Sequence, residues 1–87
     1  MQIFIKMPEP YNKHMVFTID EQYTLNDLKE LINNRTCYES IKYYLSNGKS
    51  SIDEKLYNLT IKEFNKLYPD RMIENESSLT LKIKFIQ

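Results

Sequence analysis

Both ends of this chain carry the same period-two alternation. At the start, Ile3 and Ile5 fall on one face, and Gln2, Phe4 and Lys6 fall on the other. At the close, Leu79, Leu81, Ile83 and Phe85 alternate with Thr80, Lys82 and Lys84. Such alternation marks strands with one buried face, because successive side chains in a strand point to opposite sides. A chain of 87 residues has room for one domain of roughly 100 residues and one small core. Both strands therefore belong to one sheet, and the rest of residues 1–87 must pack on it or pair with it.

The intervening residues supply the remaining elements. Pro8, Pro10 and Asn12 make a turn, after which Met15, Phe17 and Ile19 point inward from a second strand. Thr24 and Asp27 have capping-box spacing, and Leu25, Leu28 and Ile32 recur at helical spacing, widened by Leu31. Asn33 and Asn34 end that helix. Ile41, Tyr43 and Leu45 alternate with Lys42 and Tyr44 as a third strand. A turn at 46–49 follows, with Gly48 free to take a positive φ. Ile52 begins a short edge strand, and Leu56, Leu59 and Ile61 anchor a loop. Thr60 and Glu63 repeat the capping spacing. Ile61, Phe64 and Leu67 then predict a short helix over 61–68, stopped by Pro69 and followed by surface loop. The order is β-β-α-β-(β)-short helix-β, with the last strand set beside the first. That is an α+β, β-grasp arrangement: a mixed sheet of four to five strands with one main helix packed across it.

Composition excludes several function classes. Twelve basic and twelve acidic residues balance to zero net charge, so any electrostatic preference must come from segregation of charge between faces. The single cysteine, Cys37, makes no internal disulfide and no metal-ligand cluster, which fits a reducing compartment. No apolar run reaches the roughly 18–20 residues of a membrane span, and no signal-peptide pattern precedes the first strand. A cytoplasmic or nuclear location is the expectation, and the three Asn-X-Ser/Thr sequons read as chance. No nucleophile, base and orienting group stand together, so enzymatic activity, metals and cofactors are not expected. His14 reads as a hairpin surface residue and Cys37 as a loop thiol. The carboxylates Asp20, Glu21, Glu74 and Glu76 read as solvated loop side chains.

Met1-Gln-Ile-Phe-Ile-Lys6, Thr24-Leu25-Asn-Asp-Leu28-Lys29, the Asn47-Gly48-Lys49 turn, Leu56…Ile61 and Glu76-Ser-Ser-Leu-Thr-Leu81 together resemble the ubiquitin-like family over nearly the whole chain. The resemblance implies an ion pair between Lys29 and Asp53 that positions the helix, with Lys29 partly buried. It also marks 62–76 as a family-atypical insertion. Two departures bear on function. The sequence closes on Lys84-Phe85-Ile86-Gln87 rather than the Gly-Gly that ubiquitin-like modifiers use for conjugation, so conjugation is not expected unless a longer precursor exists. The family's small apolar patch on the exposed sheet face is rewritten. Phe4, Lys6, Lys42, Tyr44, Lys49, Thr80, Lys82 and Lys84 would stand there instead, a basic face around two aromatics.

The leading expectation is a non-catalytic protein-interaction module, a subunit or adaptor within a larger assembly, docking through this face and the 62–76 insertion. The alternatives are a nucleoprotein component, ribosomal-fusion-derived or spliceosomal, that contacts RNA through the lysines, and a ubiquitin-like modifier made as a longer precursor. The competing view of the lysines is a solvated strand face that discourages edge pairing.

Overall fold

The computed structural model describes residues 1–8, 13–36, 42–48 and 50–84. Among the described residues, five strands form one sheet: β1 (Gln2–Lys6), β2 (His14–Thr18), β3 (Tyr43–Asn47), β4 (Ser50–Ser51) and β5 (Ser77–Ile83). Two helices accompany them, α1 (Leu25–Arg35) and α2 (Ile61–Leu67). Spatial order is β2-β1-β5-β3-β4. The opening and closing strands lie side by side and parallel, with Ile3 opposite Ser77 and Lys6 opposite Thr80. The other pairings are antiparallel, so the sheet is mixed and the arrangement is the β-grasp expected.

Alternation places the core. Ile3, Ile5, Leu79, Leu81, Leu45 and Phe17 are buried on one face of the sheet, and Leu25, Leu28 and Ile32 of α1 close over them. Burial of side chains of this size contributes roughly 1.5–3 kcal/mol each, so this layer dominates stability. The Thr24–Asp27 capping box forms in both directions and starts α1 where expected. The helix runs on through the asparagines to Arg35, because its next N–H, that of Thr36, still bonds to the Ile32 carbonyl. Residues 9–12, 37–41 and 85–87 lie outside the described residues. The expected turn tip and the sites of Cys37, Ile41 and Phe85 fall there.

The segment after β4 differs from expectation. Leu56 and Leu59 are only half-buried, whereas Tyr57 is 2% exposed. β4 is two residues long, so the Leu45 N–H on β3 extends past it. The Tyr57 hydroxyl accepts that N–H at 2.9 Å in place of a strand partner. The second capping box, Thr60 with Glu63, also forms, and α2 ends at Leu67 before Pro69. Leu67, the third residue of that helical spacing, is 60% exposed; α2 is two turns long, and Ile61 and Phe64 exhaust its buried stripe. Pro69–Arg71 forms a 3-10 turn rather than irregular loop. Its continuation buries Ile73, which Asn65 clamps by bonding both its N–H (2.7 Å) and its carbonyl (2.9 Å). Asn47 adds a bond to the Arg71 carbonyl at 2.7 Å.

Among the described residues, one side chain, that of Arg35, caps the outer edge of β2. Val16 directs its carbonyl away from β1, and Arg35 at the end of α1 donates to it at 2.9 Å. The same guanidinium lies 4.5 Å from the centre of the Phe17 ring. An arginine seated on an edge carbonyl blocks a second strand from pairing there. Arg35→Ala is expected to increase concentration-dependent self-association relative to the parent, read by sedimentation velocity. Unchanged sedimentation would show that the edge needs no cover. Tyr57→Phe leaves the Leu45 N–H buried without an acceptor. It should lower stability by about 1–3 kcal/mol in urea unfolding, whereas Leu67→Ala should change it by less than about 0.5 kcal/mol.

Candidate functional site

Both helices' buried residues belong to the core on one side of the sheet, so the opposite side is the place to look for a contact surface. Register builds this face row by row. Phe4 stands between Val16 and Ser78, and Lys6 between His14 and Thr80. Thr80 faces Ser46, and Lys82 faces Tyr44. Beyond them the Lys84 N–H bonds the Lys42 carbonyl at 2.8 Å, which sets those two lysines across from each other. Phe4, Tyr44 and Thr80 are half-buried, and Lys6, Lys42, Lys82 and Lys84 are exposed. The residues read from the sequence as one face are thus brought together, apart from Lys49, which lies outside the described residues.

Charge is unevenly placed. No aspartate or glutamate occupies an outward position of β1, β2, β3 or β5. The acids sit elsewhere: Asp20 and Glu21 after β2, Asp27 and Glu30 on α1, Glu63 on α2, and Glu74 and Glu76 before β5. All of them are exposed, as the loop carboxylates were expected to be. Lys84 pairs with Glu54, whose carboxyl is held below the usual carboxylate range first by that hydrogen bond and then by the lysine's charge. Both partners are well exposed, so the pair adds little stability. Its effect is local, relieving the repulsion between Lys84 and the facing Lys42. Lys6, Lys42 and Lys82 form no ion pair among the described residues.

The Lys29–Asp53 ion pair implied by the resemblance does not form. Lys29 is half-buried, but its ammonium lies 4.9 Å from the ring centre of Tyr43 and 5.4 Å from that of Tyr57. Asp53 instead accepts the Lys55 N–H at 2.9 Å and caps the short 3-10 turn Glu54–Leu56. Two ring faces satisfy the cation where an acid was expected, and the carboxylate is engaged by its own turn. Nothing in the spacing of Tyr43 and Tyr57 announces this, because they lie on different elements and meet only in the folded chain.

Among the described residues no group of three or more His, Cys, Asp or Glu side chains could hold a metal ion. No helix among them is long and apolar enough to cross a membrane. His14 is exposed on β2. The described strands offer a broad sheet face as a contact surface.

Titration of the aromatic pair is a check on this geometry. Burial, and then the neighbouring Tyr57, push the Tyr43 hydroxyl from 10.0 to about 12. That hydroxyl donates to Asn33 Oδ1 at 2.7 Å, and the Lys29 carbonyl lies 3.2 Å away. The fold therefore favours the neutral phenol. This stabilisation is complete below the ordinary value of 10.0 and is lost as pH rises to about 12. Urea midpoints should fall across that window, and Tyr43→Phe should flatten the fall. An equal slope in the variant would refute the assignment. No protein-family model matches this sequence, and no curated protein matches it.

Proposed function

We propose that this protein is a non-catalytic interaction module, a subunit or adaptor that binds another protein through the outer face of its sheet. The observation that carries this reading is a sheet face on which, among the described residues, no helix packs, with two half-buried aromatics, Phe4 and Tyr44, beside Lys6, Lys42 and Lys82. Aromatic side chains at half-burial supply apolar area without a large ordering cost, and aromatics anchor many interfaces. The four strands facing outward give a rigid platform, so little conformational entropy is lost on docking. The expected ubiquitin-like kinship agrees with this reading and is itself part of the proposal.

The test is recovery of a stoichiometric partner from native extract by the tagged chain. The paired variant Phe4→Ser, Tyr44→Ser should reduce recovery by more than roughly tenfold, since central aromatic anchors carry about 2 kcal/mol or more each. Its circular dichroism and unfolding midpoint should stay close to those of the parent. Equal recovery by the variant, or no partner at all, would remove the reading.

A further inference from the structure

We infer that the partner presents a short acidic segment with an apolar anchor, seated on the lysines and aromatics of the outer sheet face. This rests on the interaction-module reading and adds the chemistry of the ligand.

The lysines form a compact array. Lys82 lies on β5 and Lys84 follows one residue past the strand's end, about 6.6 Å further at strand spacing. Lys42 stands across from Lys84, and Lys6 belongs to the neighbouring strand beside Thr80. Like charges so placed repel one another. Glu54 relieves Lys84 alone, leaving Lys6, Lys42 and Lys82 without ion pairs among the described residues. A ligand carrying several carboxylates removes that repulsion as it binds. The aromatic and aliphatic residues lie within the same array. Tyr44 is paired with Lys82, and Phe4 with the 38%-exposed Val16, so an apolar side chain of the ligand has a seat beside the charges.

The borders of the array favour a short acidic segment over a nucleic acid. The chain has as many acids as bases, and acids stand at both ends of β5. Glu74 and Glu76 precede its first residue, and Asp53 and Glu54 lie at the end marked by Lys84. A long polyanion running past the array meets these carboxylates, whereas a short acidic segment ends before them. The two arginines are also committed elsewhere. Arg35 bonds the Val16 carbonyl, and Arg71 reaches the Ser50 carbonyl at 3.3 Å and packs over Tyr68. The face therefore lacks the planar fork that grips phosphate through two bonds at once.

The probe is a labelled peptide of alternating glutamate and leucine, compared with its glutamine counterpart and with a uridine oligonucleotide of similar length, by fluorescence anisotropy. The acidic peptide should bind most tightly, and added salt should weaken it. The triple variant Lys6→Glu, Lys42→Glu, Lys82→Glu should lose roughly tenfold or more in affinity, and the triple glutamine variant should lose less. Lys62→Glu with Lys66→Glu, on the exposed side of α2, should bind as the parent does. Absent binding of the acidic peptide, equal binding by the reversed variant, or tighter binding of the oligonucleotide would each overturn the inference. Recovery of a partner through Phe4 and Tyr44 with no acidic-peptide binding would overturn the acidic class while leaving the interaction module standing.

Discussion

The structure depends on the parallel pairing of β1 with β5. Parallel neighbours cannot be joined by a tight turn, so the whole of the chain between them becomes the crossover. Here that crossover holds the hairpin partner, both helices and the β3–β4 pair. Because the two ends occupy adjacent central positions, β2 can add only outside β1, and β3 only outside β5. The register is fixed at its start by a local clamp. The Gln2 N–H donates to Asn75 Oδ1, and the Gln2 carbonyl accepts from the Glu76 N–H at 2.7 Å. Glu76 holds φ at 69° to make that contact, a left-handed backbone that costs roughly 1 kcal/mol and that the pairing repays.

Such a sheet leaves two edges, and this chain closes them by different means. At β2 a single arginine from the end of α1 sits on the outward carbonyl and on an aromatic ring. At β3 the short β4 covers part of the edge, and a tyrosine hydroxyl from the following segment completes it. Further on, an asparagine side chain bonds both backbone groups of Ile73 and so holds the 61–73 segment closed. In each case a polar side chain supplies what a further strand or turn would otherwise provide. Arg35 also lies over the Phe17 ring and Tyr57 belongs to the buried core, so at these two the polar contact and the packing coincide.

The same topology separates charge. With the helices and their buried stripe confined to one side, the outward strand positions are free to carry whatever solubility and binding require. Lysine, threonine, serine and two half-buried aromatics occupy them, and acids collect on the helices and connections. Zero net charge for the whole chain therefore conceals a basic face and an acidic border. Composition averages over faces, and binding does not, because exposed charges more than about 10 Å apart are largely screened from each other.

Alternation and capping made much of the fold legible in residues alone. Ile3 and Ile5, Leu79 and Leu81, and the paired Thr24–Asp27 and Thr60–Glu63 spacings determined strands, helix starts and the buried stripe of α1, because each signal acts within a few residues of itself. The outward face followed from the same alternation, so Phe4, Lys6, Tyr44 and Lys82 could be grouped before their neighbours were known. Contacts made across the chain were not legible. The cation of Lys29 rests on Tyr43 and Tyr57 rather than on Asp53, Tyr57 serves the backbone of β3, Leu67 is left in solvent, and Asn65 closes on Ile73. Each is decided by which groups distant segments bring together, or leave in solvent, once the chain is packed, and no local spacing encodes that.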